Sequence, residues 1–246
     1  MTYCAVEIIG KDRPGRWVVS CDHATNTVPQ AVNNGTLGLC DAEMARHIAF
    51  DPGAAGVAVA LAAALDSAAV LSNFSRLVID PNRGEDDPTL LMKLYDGTII
   101  PANRHADAAE LEHRKALCYH PYHTALARQM TRHTDNILVS VHSFTPQLRG
   151  RPPRPWEIGI LYAGDDRLAR PLIMGLEAEG GPPVGDNEPY SGHLPGDAVD
   201  RHALLTGRPN VLIELRQDII MTPQQQQDWA LRLAPLLDAA RLRSQV

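Results

Sequence analysis

Asn136-Ile-Leu-Val-Ser-Val-His142 (NILVSVH) is an apolar run that stops on a histidine. Its length and branched aliphatic residues suit a buried strand better than a helix. Two other runs share the form. Trp17–Cys21 (WVVSC) leads directly into Asp22 and His23, with Asn26 close behind, and Asn210–Leu215 (NVLIEL) carries Glu214 near its end. Residues 156–162 give a further apolar strand, and 70–72 and 76–80 read as strands or strand ends. Between the strands, residues 41–49, 107–117, 124–133, 167–179 and 223–242 have helical character. An Ala-rich run at 53–65 reads as a buried helix with Asp51-Pro52 as its cap and first turn. Pro121 is read as the break between 107–117 and 124–133. Strands alternating with helices predict an α/β fold: one domain over residues 1–246, with a mixed, largely parallel central sheet and helices on both faces. In such sheets functional residues gather just beyond the carboxyl ends of strands. His23, His142 and Glu214 all hold that position.

Composition narrows the class of protein. A hydrophobic content of 44% with 21% charged residues is that of a folded domain, so disorder is excluded. The formal charge of −6 and the lack of a basic patch argue against a nucleic-acid partner. Cys4, Cys21, Cys40 and Cys118 are scattered with no CxxC pair, so reduced thiols are expected rather than a disulfide or thiolate metal site. The start, MTYCAVEIIG, has no basic stretch followed by a long apolar one, and the apolar run at 53–65 is shorter than the roughly 18 residues of a membrane span. The expectation is a cytoplasmic protein with no membrane partner; oligomeric state is not legible in the chain.

Two histidines and a glutamate at three strand ends are the parts of a hydrolytic metal site. A catalytic zinc takes three protein ligands and leaves one position open, and neutral imidazole suits it. A glutamate outside the ligand set can accept a proton from water. His23 and His142 fit the first role and Glu214 the second. Each has a plainer alternative, a structural strand-end histidine or a glutamate paired with Arg216.

Motifs along the chain carry a resemblance. VHSFTP (141–146) is similar to the metal-binding HS strand of zinc carboxypeptidases, IELRQD (213–218) to their ELR segment, and DPNR (80–83) to their Asn-Arg pair. More closely, CDHATNTVP, SRLVIDPNRG, HSFTP, GDNEPYSG and IELRQD, in that order over 21–218, resemble the motif set of the N-formylglutamate amidohydrolase family. The resemblance implies a zinc-carboxypeptidase-like fold and a metal-dependent amidohydrolase. One divalent metal ion, zinc foremost, would be bound by His23 and His142, with Glu214 as general base. Asn82 and Arg83 would bind a substrate carboxylate. The first motif departs from HxxE: here it is His23-x-x-Asn26, so the third ligand is expected to be Asn26 or, instead, Asp22. Imidazole and oxygen donors also admit cobalt, nickel, iron or manganese.

An acidic substrate needs fixed cations, and arginine's planar fork grips a carboxylate through two parallel hydrogen bonds. Arg83 leads, followed by Arg76, with Arg216 either on substrate or orienting Glu214. Tyr190, in the turn-rich GDNEPYSG, is a donor candidate, and His193 a weaker one. Arg149, Arg151 and Arg154 lie in a Pro-rich stretch read as a solvated loop, with a mobile specificity loop as the alternative. The spacing of His120 and His123 in HPYH is metal-like, but both are read as non-ligands. The expected reaction is hydrolysis of a linear amide on a small acidic N-acyl amino acid, first among them N-formyl-L-glutamate to L-glutamate and formate. The alternatives are an amidase on another N-acyl amino acid or cell-wall peptide, and a metal- or acid-binding protein without turnover.

Overall fold

The computed structural model describes residues 3–148 and 150–246. Seven strands form one sheet: β1 (Val6–Ile9), β2 (Trp17–Cys21), β3 (Ala68–Ser72), β6 (Ile137–Phe144), β7 (Ile158–Leu161), β8 (Gly185–Asp186) and β9 (Asn210–Arg216). The short pair β4 (Leu94–Tyr95) and β5 (Thr98–Ile99) stands apart as a hairpin. Strand order in the sheet is β1-β3-β2-β6-β9-β7-β8. The inner strands β3, β2, β6 and β9 run parallel, while β1 and β7 join antiparallel to β3 and β9. The mixed, mostly parallel sheet matches the architecture expected from the alternating pattern.

The described residues also form the α-helices α1 (Asp41–Met44), α2 (Ala54–Ala64), α3 (Pro101–Arg104), α4 (Ala108–Arg114), α5 (His120–Met130), α6 (Ala169–Ala178), α7 (Ala198–His202) and α8 (Pro223–Ser244). They divide the core in two. Against one sheet face, α2, α6 and α8 pack on Val19, Cys21, Val139, Val141, Val211, Ile213 and Leu215. Against the other, α5, α7 and the buried connections pack on Val18, Val70, Leu138, Leu161 and Leu212. The strands are buried on both faces, which is why they read as nearly continuous apolar runs.

The alternation of side chains also sorts the polar residues. Cys21, Val141 and Ile213 point to the first layer, so Ser140, His142 and Glu214 point to the second. In the parallel β6–β9 pair, His142 and Glu214 are register partners. The two therefore stand side by side on one face, at the carboxyl ends of neighbouring strands.

Three local expectations change. Residues 76–80 form a buried turn, closed by Val78 N–H to the Ser75 carbonyl (2.8 Å), rather than a strand. Leu77, Val78 and Ile79 are all fully buried, so the run is apolar without being pleated. Side chains replace a ladder here: Asn103 donates to the Leu77 carbonyl (2.7 Å) and Arg114 to that of Val78 (2.9 Å). Pro121 does not separate two helices. A π-helical turn over Lys115–Tyr119 carries the chain from α4 into α5, and Pro121 sits in the first turn of α5. Finally, the cap of α2 is Gly53 in a left-handed conformation (φ 83°), where an added Cβ would lie 2.4 Å from the Ile220 carbonyl oxygen. Asp51 is left free of the capping role and turns its carboxylate inward. Among the described residues no helix is long and apolar enough to cross a membrane, and all four cysteines are free.

Candidate metal centre and active site

His23, just past the end of β2, and His142, in the last residues of β6 before Phe144, meet with their rings edge to face and centroids 4.9 Å apart. Between them lies Asp51. Its Oδ2 is 3.2 Å from His23 Nδ1 and 2.9 Å from His142 Nδ1. One donor atom from each of the three lies within 4.8 Å of the others, so this buried group can hold a metal ion. The Asp51 backbone N–H donates to the His23 carbonyl (2.9 Å), which pins the loop before α2 against the end of β2.

The far nitrogens of both rings are anchored by carboxylates. His23 Nε2 lies 2.7 Å from Asp80 Oδ1, and His142 Nε2 lies 3.3 Å from Asp22 Oδ2. Histidine ligands of metals ordinarily donate their second N–H to such an acceptor, which fixes the tautomer and leaves the first nitrogen's lone pair for the ion. Asp22 in turn accepts from the Tyr122 hydroxyl and from Ser140 Oγ. Asp80 is gripped by Arg76, whose Nε and Nη2 reach Asp80 Oδ2 at 3.2 and 2.8 Å while its Nη1 reaches Asp51 Oδ1 at 3.5 Å.

Burial disfavours charge on all these acids, and the cations around them outweigh it. The imidazoles of His23 and His142 hold Asp51 well below the ordinary carboxylate range, and Arg76 with His23 does so for Asp80. Glu214 has no such partner. Burial, with the charge of Asp51 added, pushes it up to about 8 against the pull of His142, Arg76 and Arg154. Its Oε2 is buried with no hydrogen-bond partner. An acid kept neutral by burial beside another carboxylate ionises when a dication enters the neighbouring donor group. The donor set and the orphaned oxygen thus both fit a divalent ion.

A cavity of about 300 Å³ opens on this group. Among the residues expected at the site, His23, His142, Glu214, Asn82, Arg83, Arg76 and Tyr190 all line it. Asn82 receives the Ala198 N–H on Oδ1 (3.4 Å). Arg83 bonds Thr89 Oγ1 through Nε (3.1 Å) and the Asn82 carbonyl through Nη1 (2.8 Å). No ion pair to Asp80, Glu85 or Asp86 holds it among the described residues. The Tyr190 hydroxyl accepts from Arg154 Nη2 (3.1 Å), and the Arg154 guanidinium lies over both the Tyr190 and Phe144 rings. Burial pushes the Tyr190 phenol up to about 12, so it remains a donor at neutral pH.

Other expected residues are placed elsewhere. Asn26, one candidate third ligand, is outside the cavity lining; its Nδ2 donates to the Met44 carbonyl (2.9 Å) in the loop that leaves the sheet after β2. Asp22, the other, sits behind His142 as its anchor, and Asp51 occupies the place where either was expected. Arg216 ends β9 and is also outside the cavity lining, bound to Asp218 (2.7 Å) and to the Trp156 carbonyl (3.1 Å). Arg149 lies outside the described residues. Reasoning from the chain alone missed Asp51, read as a helix cap, and Arg154, read as solvated. It also missed His47 and Asp197, which line the cavity. Burial pushes the Asp197 carboxyl up to about 6. The one available signal for Asp51 was an acidic residue before a proline. His123 is buried in α5 against His202 (2.8 Å), not in this group.

Two imidazoles and an unpaired acid at the strand ends of an α/β sheet, with a carboxylate from the loop before α2, make up a hydrolase-type site. A family model for N-formylglutamate amidohydrolase matches residues 15–221, and the chain belongs to that amidohydrolase family. A solved gene product of Agrobacterium tumefaciens superposes with a TM-score of 0.91 at 33% identity, covering 99% of this chain and 97% of its own. An N-formylglutamate amidohydrolase from Ralstonia eutropha JMP134 shares the fold at TM-score 0.66 and 20% identity, over 98% of this chain and 100% of its own. No curated protein matches the sequence.

Proposed function

We propose that the protein hydrolyses N-acyl amino acids in a metal-dependent reaction, with N-formyl-L-glutamate as substrate and L-glutamate and formate as products. The observation that carries this reading is the convergence of His23, Asp51 and His142 beside the unpaired carboxyl of Glu214 in one cavity. His23 and His142, through Nδ1, and Asp51 would hold the ion, zinc being the metal this donor set suits best. When bound, the ion supplies Lewis acidity that polarises the scissile carbonyl and eases deprotonation of water. Glu214 accepts the proton of the attacking water on its free oxygen and delivers it to the departing amine. Tyr190, steadied by Arg154, donates to the oxygen that gains negative charge. Asn82 and Arg83 bind a carboxylate of the amino-acid portion and set the amide against the donor group.

The direct test is formate release from N-formyl-L-glutamate by the purified protein, before and after chelation and on adding zinc back. Release that is lost on chelation and restored by zinc supports the reading. Release indifferent to chelation removes the metal from it, and no release at all removes the substrate.

Arg83→Lys probes carboxylate recognition. Lysine keeps the charge and loses the fork, so KM for N-formyl-L-glutamate should rise roughly 10-fold, equivalent to about 1.4 kcal/mol. An analogue with that carboxylate amidated should bind the wild type and the variant about equally weakly. Unchanged KM for the acid, in a variant of normal melting temperature, takes Arg83 out of substrate binding.

A further inference from the structure

Arg76 lines the cavity and carries a guanidinium, the features expected of a substrate clamp. All three of its nitrogens, however, already reach carboxylates. Nε and Nη2 converge on Asp80 Oδ2, and Nη1 turns to Asp51 Oδ1. The second oxygen of each carboxylate faces the same imidazole from opposite sides: Asp80 Oδ1 meets His23 Nε2, and Asp51 Oδ2 meets His23 Nδ1. One cation therefore braces His23 at both ring nitrogens through two different acids. It also contacts Asp51, which bridges to His142.

We infer that Arg76 is a positioning residue for the His23–Asp51–His142 group and does not bind the substrate carboxylate. The Nε–Nη2 edge of the guanidinium is taken by Asp80, so a substrate carboxylate would have to share the remaining edge with Asp51. The guanidinium's planar fork also fixes the angle of Asp80, and with it the tautomer and plane of the His23 ring. Lysine, a point charge on a flexible stem, would keep the neutralisation and lose that geometry. The inference rests on the proposed metal role of the group, and it concerns metal affinity rather than substrate identity.

The test measures zinc affinity by competition with a chromogenic chelator for the wild type, Arg76→Lys, Asp80→Asn and the double variant. It adds melting temperatures, and KM for N-formyl-L-glutamate and its amidated analogue. Arg76→Lys should lower zinc affinity about 10- to 100-fold, the usual effect of removing an outer support of a ligand. The ratio of KM values for acid and amide should stay that of the wild type. Asp80→Asn should lose zinc affinity to a similar degree, and the double variant little more, because the two residues act as one unit. Zinc affinity within twofold of wild type in Arg76→Lys overturns the inference, whether the variant loses only thermal stability or only its preference for the acid. If Arg76→Lys does not fold, unchanged zinc affinity in Asp80→Asn overturns it equally. A wild type that binds zinc yet releases no formate removes the substrate assignment and leaves the zinc comparison to decide on Arg76. A wild type that does not bind zinc overturns both.

Discussion

Replacing Glu214 by glutamine should lower kcat by roughly 10²-fold or more, the contribution of a positioned base, while zinc affinity stays near that of the wild type. Glutamine keeps the shape and hydrogen-bonding capacity of the side chain and cannot accept the proton. The local setting makes the expectation sharp. Glu214 Oε2 is buried without a partner, so no ion pair is broken by the change. Glu214 is also outside the group of donors that converge on one point, so metal retention follows. KM should change little, because the residue acts on water rather than on the substrate's carboxylates. A glutamine variant with near-normal turnover would show that another group, His47 or Asp197 at the same cavity, takes the proton. A variant that loses zinc would instead make Glu214 a ligand.

Asp51→Ala should reduce zinc affinity by roughly 10²-fold or more, since an apparent binding energy on the order of 10 kcal/mol is shared among few ligands. Activity at limiting zinc should fall with it and recover in part when zinc is raised. Asn26→Ala, by contrast, should leave zinc affinity within a few-fold of the wild type, because the Asn26 amide is bound to the Met44 carbonyl. The pair of variants separates two candidate third ligands in one chelator titration. Loss of zinc in Asn26→Ala with retention in Asp51→Ala would return the ligand to the HxxN motif and require the loop before α2 to move.

The contrast between Asp51 and Asn26 shows where reading the chain stops. His23, His142 and Glu214 could be picked out because each closes an apolar strand, and strand ends of a parallel sheet meet by construction. Their shared face follows from alternation alone. Asp51 gives no such sign. Locally it is a polar residue before Pro52 and an alanine-rich helix, a setting typical of a cap. Its inward turn depends on Gly53 capping the helix and on the hydrogen bond from its N–H to the His23 carbonyl, which joins segments distant in the chain. The same limit applied to residues 76–80. Their aliphatic run looks pleated, and only the buried Asn103 and Arg114, contributed from elsewhere, satisfy its carbonyls as a turn. Arg154 misleads for the opposite reason. A Pro-rich stretch reads as solvated, and nothing in it announces the Tyr190 and Phe144 rings on which the guanidinium lies.

The pairing of His142 with Glu214 across β6 and β9 has a consequence for how such a catalyst can diverge. The gap between them is metered by the peptide backbone itself, since neighbouring strands keep a separation of about 4.8 Å whatever their side chains. A ruler made of main-chain hydrogen bonds does not drift when loops lengthen, core residues exchange or surface charge changes. The Ralstonia protein keeps this fold at only 20% identity. Substitutions can accumulate widely around such a pair without retuning its spacing, provided that neither strand slips by a residue against the other.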